Sequence, residues 1–550
     1  MAPAGRASAP PSVRAASPQH LLRGEGRREL EALLPAWLRS ARWFGGKARP
    51  IKKVAVRDVV PLRAEPAAAH LVLAQVEYDG ATTETYALPL AFAFGDEARR
   101  ICESHPGAVI ASLDRGEGEG EGVLYDAMVS AEVQAALLEI LARGRPLRGE
   151  RGELLPSRHA AFRELGGYES LPPRGVGAEQ SNSSVVYGEK LVLKLFRRLE
   201  EGPGPELELG EHLSRRRFPH SPPLAGSLRY REGRSEPTTV AVLHGFVPNH
   251  GDAWQYTLDE LARFFERALA QPSPANVPKG SVVELLDRTP PDLAAELVGP
   301  YLGAAQLLGR RTAQLHTALC ADDGFAPEPY TGLYQRSIYQ SMRNHSARVL
   351  RLLRRSLPTL SAEIRPEAER LLALEGALHR RFEPFLHHRL HAHRIRVHGD
   401  FHLGQVLYTG KDFVVVDFEG EPARPLEERR RKRSPLRDVA GMLRSFHYAA
   451  ATAALRHYEG ALVTPESAPG LRAWAALWQA WTCRAFLAAW LEESGTAPFV
   501  PPTREQLRVM LDAFLVEKAL YEVAYELNTR PGWVGVPIEG LLQLIGEQGH

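Results

Sequence analysis

Cysteine is nearly absent from this 550-residue chain: Cys102, Cys320 and Cys483 are odd in number and far apart. That excludes a disulfide framework and points to a reducing cytoplasm. An excess of one charge is absent too, with 68 Lys+Arg against 66 Asp+Glu and a formal net charge of +2. Near-neutrality argues against a dedicated nucleic-acid or acidic-membrane binder. Long hydrophobic runs are missing; the most apolar stretch, 475–490, is interrupted by Gln479 and Arg484, so no membrane span is expected. Residues 1–24 hold no acidic group and no apolar core of the kind a secretory signal requires, and a disordered tail is expected over 1–28. Lysine is scarce, at nine of the 68 basic residues. Codon bias in a GC-rich genome accounts for most of that scarcity. A surface that needs only positive charge accepts arginine, however, so a lysine kept against the drift is a candidate for a specific task.

What is present is an ordinary globular composition, 44% hydrophobic and 24% charged. Leu30, Leu33, Leu34 and Trp37 predict an amphipathic helix over 28–39, followed by a turn at Trp43-Phe44-Gly45-Gly46-Lys47. Strands are expected at 54–62, 70–78 and 82–90, and the Gly/Glu run 116–122 reads as a solvated loop. A second strand-rich region starts near Val176, with strands at 184–187, 191–196 and 238–246. From about Leu258 the pattern is helical, strongest at 302–319, 337–355, 364–388, 471–493 and 504–528, with one β segment at 394–418. A β-rich front half before a helical half makes an α+β protein.

The chemistry concentrates in that β segment. His398-Gly399-Asp400-Phe401-His402-Leu403-Gly404-Gln405 is expected to end a strand at Asp400, and the apolar run 413–416 to end on Asp417. Phosphoryl transfer needs an aspartate that takes the proton of the attacking hydroxyl, plus an amide and a second aspartate on the metal. Asp400 and Gln405 are five positions apart, the spacing of the kinase D-x-x-x-x-N pattern. Glutamine offers the same amide oxygen with one more methylene of reach. A rival reading makes His398, Asp400 and His402 ligands of a zinc hydrolase, but it supplies no general base and leaves Asp417 idle.

On the nucleotide side, Gln180, Ser181, Asn182, Ser183 and Ser184 lie between two expected strands as a polar phosphate-covering turn. Lys194 stands inside the apolar run 191–196, where an ammonium is expensive unless it meets an acid or a phosphate. Glu206 and Glu208 open the next helix as partner candidates, with Glu208 preferred. Residues 240–249 read as a strand entering an inter-lobe hinge. Late in the chain, Lys518, Tyr521 and Tyr525 share one helical face, with Trp533 beyond.

With these pieces placed, the chain resembles the bacterial maltokinases, which also occur fused to trehalose synthase and are relatives of the aminoglycoside phosphotransferases. The motifs that carry the resemblance are 43–47, 179–184, 246–249, 325–329, 398–405, 417–422, 433–442 and 521–533. It implies a bilobal eukaryotic-like kinase fold: an N-terminal cap subdomain (29–95), a β-rich small lobe (96–255) and a mainly helical large lobe (256–550). The implied reaction converts ATP and maltose to ADP and maltose 1-phosphate with Mg²⁺, feeding bacterial α-glucan synthesis and trehalose conversion. A separate trehalose synthase is the implied partner. The resemblance assigns sugar contacts to Lys518, Tyr521, Tyr525 and Trp533, adds His402 and Glu419 at the sugar or metal, and lets Arg437 and Asp438 brace the catalytic loop. Two alternatives stay open: a kinase for another small sugar or an aminoglycoside, and a non-catalytic sugar- or nucleotide-binding scaffold.

Overall fold

Alternation of β-branched and polar residues produces long strands early in the chain. They are β1 (Ser12–Arg14), β2 (Ile51–Arg63), β3 (Ala69–Tyr78), β4 (Thr83–Phe94), β5 (Val109–Asp114) and β6 (Glu121–Asp126). The computed structural model describes residues 10–14, 20–63, 68–80, 82–114, 121–165, 168, 171–176, 181–274, 276–321, 324–459 and 468–546. Two compact units result, Met1–Ser214 with Pro222–Pro248 and Arg215–Ser221 with Asn249–His550.

In the first unit one seven-stranded sheet runs β1-β5-β6-β4-β3-β2, with β12 (Arg198–Leu199) attached to β4. It continues past residue 95, since β6 pairs with β4 and β5 pairs with β6. Helix Gly24–Ser40 lays Leu30, Leu34, Trp37 and Leu38 into its core. The expected disordered tail contains both β1, which pairs in parallel with β5, and the start of that helix. Residues 1–9, 15–19 and most of the Gly/Glu run (115–120) lie outside the described residues.

A second antiparallel sheet contains β7 (Leu147–Arg148), β8 (Gly152–Arg158), β9 (Pro173–Val176), β10 (Asn182–Tyr187), β11 (Leu191–Phe196), β13 (Leu224–Glu232) and β14 (Thr238–Gly245). Its order is β7-β8-β13-β14-β11-β10-β9. One buried carboxylate joins the two sheets. Asp58 of β2 accepts from the backbone N–H of Val59, Glu150, Arg151 and Gly152 and from the Tyr230 hydroxyl, at 2.6–3.1 Å. The approach demands glycine at 149, where a Cβ would sit 2.6 Å from the Asp58 carboxylate.

In the second unit the buried helix Leu436–Glu459 packs on Ala468–Ser494 and Arg504–Thr529. Ala468–Ser494 also packs on Pro300–Ala318, so closely that a Cβ on Gly309 would lie 2.3 Å from the Phe486 carbonyl oxygen. Trp474, Trp478 and Trp490 fill this core. Two small ladders complete it, β15 (Glu328–Pro329) with β16 (His393–Arg394), and β17 (Val406–Tyr408) with β18 (Phe413–Val415). The single helix expected over 364–388 is three: Arg365–Ala373, Glu375–Arg380 and Pro384–His387. Pro384 has no N–H to donate and its ring crowds the carbonyl four residues back, so a continuous helix cannot pass it. Among the described residues no helix is long and apolar enough to cross a membrane.

Candidate active site

The strand expected to run into Asp400 stops at an isolated bridge between Ile395 and Arg433. Beyond it the backbone donors serve a side chain instead. The N–H of His398 and of Gly399 donate to the Asp438 carboxylate at 2.8 and 3.0 Å. Gly399, at φ +85°, supplies the left-handed turn that presents Asp400. The His398 ring stitches two segments together. Its Nδ1 accepts from the Asp400 N–H at 3.3 Å, and its Nε2–H donates to the Val416 carbonyl at 2.9 Å. The Val416 N–H in turn donates to the Gln405 carbonyl at 3.0 Å. Gln405 and Asp417 are thereby neighbours across the β17–β18 hairpin. Asp417 sits at φ +66°, strain that a non-glycine residue holds only where its surroundings impose it.

These bonds dispose of the zinc reading. Both ring nitrogens of His398 are used by the backbone, and Nδ1 of His402 accepts from the Gly404 N–H at 3.1 Å. Among the described residues no group of three or more His, Cys, Asp or Glu is arranged to hold a metal ion.

Behind the loop, Asp438 meets Nε2 of His316 at 3.1 Å, and Nδ1 of His316 accepts the Trp490 indole N–H at 3.0 Å. The three side chains are buried. Burial pushes the Asp438 carboxyl upward, but His316 and the Gly399 N–H outweigh it and hold it below the ordinary aspartate value. The bracing expected of Asp438 is present; Arg437 instead pairs with Glu517 at 2.9 Å.

In front of the loop, the Lys518 ammonium lies 3.3 Å from Asp400 and 3.2 Å from Glu421, and 4.6 Å over the Tyr521 ring. Burial disfavours the Lys518 charge, yet Glu421 and Asp400 more than compensate and raise its pKa. For Glu421 burial is likewise outweighed, by Lys518 and Arg424, which hold it at about 2. Tyr521 and Tyr525 stack along the helix at 6.5 Å, and Arg530, paired with Glu526, lies over both Tyr525 and Trp533. His402 Nε2 is 4.0 Å from Asp400, and the carbonyl of Glu419 accepts from Arg429. Glu421 was missed from sequence: it is one of two glutamates within 417–422, and nothing local distinguishes it from Glu419.

The nucleotide-side residues belong to the first unit. Gln180 lies outside the described residues, and Ser181 is exposed at the mouth of β10. Asn182 and Ser184 are buried, while Ser183 accepts from Arg197, itself paired with Asp126 at 2.7 Å. Lys194 on β11 sits between Ser184 of β10 and Val242 of β14. On helix Pro205–Arg215, Glu206 is buried 3.1 Å from His244, and Glu208, two residues on, points to a different face.

A family model for the maltokinase N-terminal cap domain matches residues 37–129. A glucosamine kinase of Streptacidiphilus jiangxiensis is 27% identical over 475 residues, which are 82% of this chain and 95% of that protein. A glucosamine kinase of Mycolicibacterium smegmatis is 26% identical over 376 residues, 68% of this chain and 80% of the relative. Among solved structures, a glucosamine kinase in crystal form B aligns with a TM-score of 0.59 at 21% identity, covering 91% of this chain and 96% of that one. A glucosamine kinase in complex with glucosamine, ADP and inorganic phosphate aligns at 0.57 and 21%, covering 92% and 98%. The likeness to these structures shows the fold, a bilobal α+β kinase fold carrying an N-terminal cap. The chain thus carries a match to the maltokinase N-terminal cap domain and is similar over most of its length to glucosamine kinases.

Proposed function

We propose that the protein is an ATP-dependent sugar kinase whose acceptor is maltose, phosphorylated at its anomeric hydroxyl to maltose 1-phosphate. The observation that carries the reading is Asp400, presented on a loop braced by Asp438 with the Lys518 ammonium 3.3 Å away. Asp400 takes the proton of the anomeric oxygen as it attacks. Lys518 fixes that carboxylate and offsets the charge of Glu421. Gln405 and Asp417 would hold Mg²⁺: an amide oxygen and a carboxylate, from segments that the Val416–Gln405 backbone bond brings together, suit a hard cation that takes its other ligands from phosphates and water. When bound, the ion neutralises charge on the phosphate oxygens. Lys194 steadies the nucleotide phosphates, Ser181–Ser184 and Gln180 cover them, and Glu208 orients Lys194. Tyr521, Tyr525 and Trp533 offer ring faces to the sugar, with His402 and Glu419 at its hydroxyls. Residues 29–95, 96–255 and 256–550 serve as cap, small lobe and large lobe. A separate trehalose synthase and a cytoplasmic setting complete the reading.

The glucosamine kinases among the relatives favour a second acceptor, glucosamine. Lys518 argues against it. Two unit cations 4 Å apart repel by about 4 kcal/mol at an effective dielectric of 20; Asp400 and Glu421 offset part of that, so an amino group is penalised where it stands nearer this ammonium than the carboxylates, while a neutral disaccharide is not. ATP consumption with maltose, glucose, trehalose, glucosamine and kanamycin tests the acceptor, and Asp400→Ala tests the base. Maltose is expected to turn over fastest, and the variant to lose transfer while staying folded. Near wild-type turnover by Asp400→Ala would sink the assignment of the base, and faster turnover of glucosamine would replace the acceptor.

A further inference from the structure

Beside the Asp400 loop lies a cavity of about 60 Å³, lined by five arginines, Lys518, His345, three glutamates and Asp438. Arg424, Arg429, Arg431 and Lys518 are hydrogen-bonded, but some other donors here are not. Arg437 Nε is buried without an acceptor, and the Arg437–Glu517 pair, although 2.9 Å long, leaves Glu517 Oε2 without a properly directed hydrogen bond. His345 takes an N–H from Arg348 on Nδ1 at 2.9 Å, so its proton sits on Nε2, which is buried with no acceptor. Among the described residues the Arg433 side chain hydrogen-bonds only the Glu428 carbonyl and carboxylate, both at 3.5 Å.

Buried donors in native proteins are almost always satisfied, and several around one cavity point to a missing acceptor. Most carboxylates already present are committed: Glu421 to Lys518 and Arg424, Glu428 to Arg424 and more loosely to Arg433, and Asp438 to the His398 and Gly399 N–H groups, which leaves Glu517 beside Arg437. Burial, with repulsion from Arg437 and Arg424, pushes Arg433 down to about 10, as expected of a cation held among cations. Water could cap single donors but would leave the charge excess standing, whereas an oxyanion meets both needs and pairs with guanidinium geometry.

We propose that this cavity is a phosphate-group site, distinct from the nucleotide-binding strands, in which Arg433, Arg437 and His345 hold the oxygens. The ligand is inorganic phosphate or the phosphate of a sugar 1-phosphate. Gly399, Asp438 and Lys518 share the cavity wall, so occupancy acts directly on the loop that presents Asp400.

Calorimetric titration of the full chain with sodium phosphate, in a chloride-matched amine buffer without nucleotide, tests this. Wild-type protein is expected to bind about one phosphate per chain, with a Tm that rises and saturates. Arg433→Gln should weaken binding at least about tenfold, the range for loss of a charged hydrogen bond. Lys194→Gln, on a sheet of the other unit, should leave it unchanged. Competition by glucose 1-phosphate assigns the site to the sugar ester, and its exclusion assigns it to the free ion. No saturable binding, equal binding by Arg433→Gln and wild type, or loss of binding in Lys194→Gln overturns the proposal. None of these readings needs turnover, so they stand apart from the acceptor assay.

Discussion

The indole N–H of Trp490 donates to Nδ1 of His316, and that bond decides which nitrogen Asp438 meets. With Nδ1 occupied as an acceptor, the imidazole proton is on Nε2 and points at the carboxylate that holds the His398 and Gly399 N–H groups. Trp490→Phe keeps the packing and deletes the donor. The loss of one neutral hydrogen bond, about 1 kcal/mol, lets the ring rotate and loosens the Asp400 loop. We expect kcat to fall several-fold with the KM for ATP unchanged. Steady-state kinetics normalised to the folded fraction, read from thermal unfolding of the same sample, separates this from a general folding defect, which would leave the rate per folded molecule unchanged.

Lys518→Met removes the cation between Asp400 and Glu421. Loss of two charged hydrogen bonds predicts a fall in kcat with maltose of about 10- to 100-fold. The same change removes the repulsion felt by an amino sugar, so the ratio of glucosamine to maltose kcat/KM should rise. A ratio that stays fixed rejects the charge-based account of acceptor choice.

Lys194 and Lys190 offer a paired comparison. Lys190 is exposed in the turn after β10, whereas Lys194 lies inside β11, flanked on both sides. Lys194→Arg is expected to raise the KM for ATP strongly, because a planar guanidinium replaces a compact ammonium at a phosphate. Lys190→Arg should have no effect. Equal tolerance at both positions would mean that the retained lysines carry no information.

Stability should depend on pH through His447. It is buried beside Arg444, and burial first, then that arginine, hold its pKa well below 6.5. The unfolded imidazole takes up a proton below about pH 6.5, and the folded one does not. Stability is therefore complete above that pH and falls on acidification, by up to about 1.4 kcal/mol per pH unit for this group. His345 and His402 are shifted in the same direction, chiefly by burial. Urea unfolding at pH 7.5, 6.5 and 5.5 should show the loss, with a shallower slope in His447→Phe. An unchanged slope in that variant refutes the assignment.

How much of this was legible in the sequence follows from separation along the chain. The segment 398–417 could be read because Asp400, Gln405 and Asp417 are spaced by one loop and one hairpin. The strands β2, β3 and β4 could be read because their alternation is local. The pairs that finish the site could not: Lys518 is 118 residues from Asp400, His316 is 122 from Asp438, and Trp490 is 174 from His316. Such partners are chosen by helix packing, and Lys518 was singled out by the helical face it shares with two tyrosines together with the family resemblance, as a sugar contact and not as the partner of Asp400. The extended run into Asp400 was misread for a related reason, as the donors that would have made a strand are taken by Asp438.

The carboxylate of Asp58 sets a limit on how the protein can be divided. The cap-domain match ends at residue 129, but four of the groups that satisfy Asp58 belong to residues 150–152 and 230. The β4 edge is also completed by Arg198 and Leu199. A fragment cut at the boundary of the match would carry an uncompensated anion in its core and an open strand edge. The matched segment is therefore not expected to fold on its own as it does in the full chain, and Asp58 gains its full set of partners only once β13 has been made.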